Sequence, residues 1–225
     1  MIDVGKDFDR LLEIVLPEGR GYALMLEAYF DESERESGVF CVAGYAFAPH
    51  QARKFSKEWR GLFGQKTFHM VDLAALRGEF EGLKRKEANR LLIEAIKIIN
   101  KRISFGVAVS CHLKEVAALS PTWIRGFGHA YPICCHLSMW AVGDWLRRSR
   151  NEDRVAYFFE SGHPREFEAR EFIKSASHSD ELKDYYHHDS DTFIGKHKAP
   201  PLGSADLLAW EWAKCQDETI DRQLR

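Results

Sequence analysis

Three acidic residues occur in this sequence at positions where apolar core residues are expected. Asp31 ends the apolar run 28–30, and Glu160 ends the apolar run 155–159. Asp206 lies inside an apolar stretch near the start of a helical pattern. Burying an ionised carboxylate costs several kcal/mol unless the group is paired or binds a cation. If the three side chains converge, their hard oxygen ligands predict a site for Mg²⁺ or Mn²⁺.

A simpler interpretation is available for each of these acids alone. Asp31 and Glu160 can be strand-end residues in turns, and Asp206 can be a first-turn acid that the helix dipole favours. The three together favour the metal site, because strand ends are where open α/β sheets place their ligands.

Three further polar residues are considered beside these acids. His69 could orient a water molecule or contact a phosphate, although a histidine at the end of an extended segment is as often structural. Glu32 follows Asp31 and should point to the opposite face of its strand, so it should not share the same ion. Glu211 lies about 140° around the helix from Asp206, which favours a salt bridge over metal binding.

Other candidates have weaker support. His163 lies in a loop shortly after Glu160, where loops often carry function. The pair His187–His188 suggests a metal or base-stacking site, and an exposed polar loop is the simpler alternative. The segment Cys134–His136 is expected to be core, because consecutive helical residues cannot all reach one ion. Lys196 and Lys198 could contact phosphates near the acids.

Alternating strand and helix patterns must position these residues. The sequence predicts strands at 24–31, 39–47, 103–111, 154–160 and 192–197, with an extended piece at 67–73. It predicts helices at 49–63, 84–101, 128–148, 165–177 and 204–220. We expect an α/β fold whose mixed sheet has an antiparallel opening hairpin, later parallel strands and flanking helices. The strand at 103–111 is expected in the sheet interior.

Composition narrows the class of protein. The chain has 225 residues, of which 45% are hydrophobic, and this predicts one domain over 1–225 with residues 1–22 as an N-terminal extension. A net charge of −2 gives no overall basic excess for non-specific nucleic-acid binding. Five cysteines without Cys-x-x-Cys spacing, together with no visible signal peptide or membrane span, predict a cytoplasmic protein without membrane association. The sequence contains no dinucleotide-binding or P-loop motif.

Four motifs occur in one order along the chain, and they are Ala28–Ser33, Phe68–Leu73, Val155–Gly162 and Pro200–Glu211. This series resembles the domain-of-unknown-function family thirty-eight-hundred, a bacterial and phage family of the ribonuclease H-like superfamily. The resemblance implies a ribonuclease H-like fold in which Asp31, Glu160 and Asp206 converge on divalent cations, with His69 at a family position. The sequence departs from the family at Glu34, where glycine is common.

The function implied by this resemblance is metal-dependent nuclease activity. Two Mg²⁺ or Mn²⁺ ions would support phosphodiester hydrolysis, with one activating water and the other stabilising the leaving oxygen. The expected partner is nucleic acid, either DNA or RNA. Two alternatives stay open: a non-catalytic module of the same fold that binds nucleic acid or protein, and a small-molecule phosphatase.

Overall fold

The computed structural model describes residues 25–119 and 129–223. The strands are β1 (Leu26–Glu34), β2 (Val39–Phe47), β3 (Phe105–His112), β4 (Val155–Glu160) and β5 (His188–Ile194). They form one mixed sheet in the order β3-β2-β1-β4-β5. Pairing is antiparallel between β1 and β2 and between β2 and β3, and parallel between β1 and β4 and between β4 and β5. The predicted α/β fold is confirmed, and its sheet is consistent with a ribonuclease H-like fold.

Helices cover both faces of this sheet. They are α1 (Pro49–Phe63), α2 (Met70–Ala75), α3 (Arg85–Arg102), α4 (Leu113–Ala117), α5 (Ala130–Arg148), α6 (Glu166–Ser177), α7 (Asp180–Tyr185) and α8 (Pro201–Gln223). The five predicted helices are confirmed, with small shifts at their ends. The predicted extension 1–22 lies outside the described residues. So do residue 24, where the first strand is predicted to begin, and residue 128, where the third helix is predicted to begin. Within the described ranges, no helix combines the length and apolar character needed to cross a bilayer.

Two of the predicted extended segments are wrong in part. The segment 67–73 is extended only as far as His69, and α2 begins at Met70. A long-range hydrogen bond explains the difference, because the Met70 N–H donates to Asp206 Oδ1 at 3.1 Å. The strand expected in the sheet interior, β3, is instead an edge strand beside β2.

The last strand begins and ends earlier than predicted. It covers His188–Ile194, whereas the sequence predicts 192–197 and an exposed loop at 185–191. His188 and Tyr186 are buried, because His188 stacks on Tyr157 and the Tyr157 hydroxyl donates to the Tyr186 carbonyl at 2.7 Å. The first four residues of this edge strand are polar, so a strand prediction based on apolar runs does not include them.

Strand alternation assigns the side chains of β1 to the two faces of the sheet. Ala28 and Phe30 pack in the core beneath α5 and α6, while Tyr29 packs in the core beneath α1 and α3. Asp31 therefore points to the same face as Tyr29. That face also carries α8, whose contacts with β1 and β2 are extensive.

Small residues allow α8 to lie close to the sheet. Ala209 and Ala213 of α8 pack against Cys41 and Ala43 of β2. At the start of the helix, a Cβ added to Gly203 would lie 3.0 Å from Trp59 Nε1. The small side chains therefore set how near α8, and with it Asp206, comes to the strands.

A partly buried ion-pair network joins α1 to α3 and predicts a pH effect on stability. Glu58 accepts hydrogen bonds from Arg102 and Lys101, and the hydrogen bond from Arg102 is the main reason that the pKa of Glu58 falls from 4.5 to about 2. A depressed pKa stabilises the fold above pH 4.5, and this contribution is lost as the pH falls toward 2. We therefore expect Glu58→Gln to lose less stability than wild type over this range.

Urea denaturation at several pH values between 5 and 2 tests this expectation, with Glu94→Gln as the control for a pair contained within one helix. Parallel loss of stability in wild type and Glu58→Gln over the whole range would contradict the assignment.

Candidate metal centre

The three predicted acids converge on one buried lysine side chain. Lys196 Nζ lies 2.8 Å from Asp31 Oδ2 and 2.8 Å from Glu160 Oε2, and it also donates a short hydrogen bond to Asp206 Oδ2. The Lys196 side chain is only 6% exposed. The carboxylate oxygens therefore lie around a single ammonium group.

Sheet register and helix packing produce this convergence. Phe30 of β1 is paired with Phe159 of β4, so the next residues, Asp31 and Glu160, lie side by side on the sheet. Lys196 follows β5 by two residues, in the turn where the Lys198 N–H donates to the Gly195 carbonyl at 2.9 Å. The first half of α8 then brings Asp206 over the same point.

Burial and charge act in opposite directions in this cluster. Burial raises the pKa of Asp31 well above its usual range, against the influence of Lys196, and the neighbouring Glu160 and Asp206 carboxyls raise it further. Burial alone would lower the pKa of Lys196, but the three carboxylates raise it above its usual value. Lys196 is therefore charged at neutral pH, and the four groups together have a net negative charge when the acids are ionised.

Asp206 is the most completely hydrogen-bonded of the three acids. Burial alone would raise its pKa, but His69, Lys196 and the Met70 N–H together lower it. His69 Nδ1 lies 3.3 Å from Asp206 Oδ2 and 3.2 Å from Lys196 Nζ. This nitrogen can accept from the ammonium or donate to the carboxylate, depending on its protonation. The His69 side chain is 40% exposed and borders an open cleft.

The donor set fits a hard divalent cation in its chemistry. It offers three carboxylates, and Asp31 Oδ2 is buried without a hydrogen bond although Nζ is 2.8 Å away. Lys196 Nζ occupies the point that the carboxylates share, and the described residues contain no group of His, Cys, Asp and Glu arranged to hold an ion directly. A divalent ion would have to share these oxygens with the ammonium or displace it.

No protein-family model and no curated protein matches this chain. The fold and the cluster therefore rest on sheet order and on side-chain positions alone.

Glu32 lies next to the cluster but on the other face of β1. The strand continues to Glu34, so alternation holds at this position, as predicted. Burial is the main reason that the pKa values of Tyr131 and Cys135 of α5 are raised, and the charge of Glu32 raises them further. Burial, followed by repulsion from Glu160, raises the pKa of Glu32 itself to about 7.

The other sequence candidates do not join the acids. The ring of His163 stacks on Tyr131 at 3.9 Å and lines a separate, mainly apolar cavity of about 340 Å³. His187 has a left-handed backbone with φ of 50°, and His188 is paired with Asp191 at 3.1 Å. His187 Nδ1 lies 3.0 Å from the Asp153 carbonyl, so the polar contacts described for both histidines are with residues outside the acid cluster.

Two further expectations concern the helices. The cleft beside the acids is lined by Trp210 of α8 but not by Glu211, which is half-buried. Cys134 and Cys135 of α5 are buried in the hydrophobic core, as predicted.

Sequence reasoning missed the central role of Lys196. It considered this residue only as a phosphate contact, because a lysine between Gly195 and His197 resembles a surface side chain. The available signal was its position, ten residues before Asp206 and just after the last strand. The three ion pairs become visible only when the register of β1, β4 and β5 is known.

Proposed function

We propose that this protein hydrolyses nucleic-acid phosphodiester bonds with Mg²⁺ or Mn²⁺ bound at Asp31, Glu160 and Asp206. The observation that carries the proposal is the meeting of acids from β1, β4 and α8 at one buried point beside an open cleft. Membership of family thirty-eight-hundred in the ribonuclease H-like superfamily is part of this proposal. The motif order and the sheet order support it.

Each residue of the cluster has a distinct task in this proposal. The three carboxylates hold the cation, which supplies Lewis-acid activation of water and stabilisation of the leaving oxygen, in the two-ion form that the resemblance implies. Lys196 holds the carboxylates together before the cation binds. His69, exposed at the cleft and in contact with Asp206, can carry a proton between the cluster and solvent.

One observation favours a non-catalytic binding module as the second candidate. Lys196 already pairs with all three acids, so the cluster has a structural explanation that needs no metal.

We also propose a reducing compartment such as the cytoplasm, since all five cysteines are free.

Metal binding and substrate turnover together test the proposal. Mn²⁺ titration by calorimetry, followed by incubation with single- and double-stranded DNA and RNA and with a small phosphomonoester, should show Mn²⁺ binding and polymer cleavage by wild type. Asp206→Asn should lose both. Turnover of the monoester alone would indicate a phosphatase, and nucleic-acid binding without turnover would indicate the binding module. Cleavage that persists in Asp206→Asn would refute the proposed site.

A further inference from the structure

A basic groove lies on the same sheet face as the acid cluster. Its floor and its rim consist of three residues each: Tyr29, Phe158 and Ile194 form the floor, and Arg53, Arg60 and Lys198 form the rim. The groove is open to solvent and has a volume of about 500 Å³. This size falls within the range of about 300–1,000 Å³ that is typical of small-ligand sites.

Strand geometry places this groove directly beside the acids. Tyr29 precedes Asp31 by two residues on β1, and Phe158 precedes Glu160 by two residues on β4. Residues two apart on a strand share a face and are separated by about 6.6 Å. The turn after β5 borders both regions, because Lys198 lines the groove while Lys196 reaches the acids.

A smaller depression connects the two regions. Arg60 lines both this depression and the basic groove, and Lys196 lines both the depression and the acid cleft. Lys66 adds a further positive charge to the depression. Arg60 and Lys66 thus line the depression that lies between the groove and the cluster.

The charges of the two regions are opposite. The residues that line the acid cleft include the three clustered acids and Glu34, whereas the lysine and arginine among them are Lys196 and Arg35. Its negative charge repels a phosphodiester unless a divalent cation intervenes. A polyanionic substrate must therefore gain most of its binding energy outside the cleft.

The rim of the groove can supply that energy. Arg60 and Lys198 form no ion pair within the part of the chain that the structure describes, and both are exposed. Glu27 is the acid that lines the groove, and burial raises its pKa while the Tyr29 hydroxyl donates to it at 2.8 Å. The Glu27 carboxylate is thereby hydrogen-bonded to Tyr29, and it offsets the positive charge of the rim only weakly.

The floor distinguishes between kinds of nucleic acid. Phe158 is half-buried and stacks on Tyr29 with ring centroids 4.7 Å apart, while Ile194 is half-buried beside it. An unpaired base can place its π-face on such an apolar floor, whereas a duplex keeps its base faces stacked inside. Basic side chains that contact the backbone above aromatic residues that stack on bases are the typical combination for single strands.

We propose that the basic groove binds single-stranded nucleic acid, with phosphates on Arg60 and Lys198 and a base on the floor at Phe158. This binding goes beyond the proposed hydrolysis and does not depend on metal. Only the delivery of a neighbouring phosphodiester to the acid cluster rests on the proposed function.

Fluorescence anisotropy with labelled single-stranded DNA and RNA in EDTA tests the groove without turnover. Arg60→Glu and Lys198→Glu are each expected to weaken binding about tenfold or more, because like charges then face the phosphates. Each is also expected to reduce the salt dependence by about 0.7 in the slope of log K against log salt. Lys174→Glu is the matched control, since Lys174 is exposed on α6 across the sheet.

The stacking surface needs its own variant. Phe158→Leu keeps an apolar side chain and is expected to weaken single-strand binding about tenfold, with circular dichroism confirming the fold. Equal binding of duplex and single strand, unaffected by Phe158→Leu, would overturn the single-strand assignment. If Lys174→Glu weakens binding as much as the groove variants do, or if the wild-type protein does not bind at all, the groove is not the binding site. Binding that follows these expectations in EDTA, together with no cleavage when Mn²⁺ is supplied in excess, would contradict the proposed hydrolysis alone.

Discussion

Replacing Lys196 with methionine is expected to lower the free energy of unfolding by about 3–5 kcal/mol in the absence of divalent cations. Methionine keeps the length and apolar stem of lysine but removes the ammonium that three carboxylates contact. Asp31, Glu160 and Asp206 would then be neighbouring acids without a counter-charge. Part of this cost should disappear at low pH, where the acids are protonated.

Mn²⁺ should reverse much of this loss if the cluster can hold a metal ion. A divalent cation that binds the folded state at a hundred times its Kd stabilises a protein by about 2.7 kcal/mol. Thermal unfolding of Lys196→Met with and without Mn²⁺ measures the effect, and Lys198→Met is the control on the same turn. If Mn²⁺ does not raise the stability of the destabilised variant, the three acids pair with Lys196 and do not bind a metal ion.

Asp31→Asn is expected to change the stability little but to abolish metal binding and strongly reduce cleavage. The amide oxygen can still accept from Lys196, and one fewer negative charge remains in a cluster that is 3% exposed at this position. The free energy of unfolding should therefore either increase or fall by no more than about 1 kcal/mol. Metal binding should be lost, and cleavage should fall by about 10²–10⁴-fold, as expected for losing several kcal/mol of charge stabilisation.

Urea denaturation, Mn²⁺ calorimetry and single-turnover cleavage separate these effects. Glu211→Gln is the matched control, because it neutralises a half-buried acid of α8 outside the cleft. An Asp31→Asn protein that binds Mn²⁺ as tightly as wild type would remove Asp31 from the site. A strongly destabilised Asp31→Asn protein would show that its charge serves the fold.

Local patterns predicted the elements that carry the acids. The apolar runs before Asp31 and Glu160 identified β1 and β4, and the apolar spacing around Asp206 identified α8. The connection of β1 to β2 and the α/β class followed from the same patterns. These features depend on neighbouring residues, which a single sequence displays directly.

Features that depend on distant contacts were not predictable in this way. The start of α2 depends on a hydrogen bond from Met70 to Asp206, and the edge position of β3 depends on which strands pair. The central position of Lys196 requires three elements to be in register at once. Single-sequence periodicity contains no information about such pairings.

The parallel pairing of β1 with β4 also determines when the acids meet during folding. Asp31 belongs to a local hairpin, whereas its partners arrive with β4, the turn after β5 and α8. Contacts between such distant segments form late, because loop closure must come first. The hairpin can therefore form while Asp31 is still hydrated, before Glu160, Asp206 and Lys196 are brought beside it. Lys196 lies between Glu160 and Asp206 in the sequence, so the counter-charge belongs to the same half of the chain as two of the charges that it neutralises.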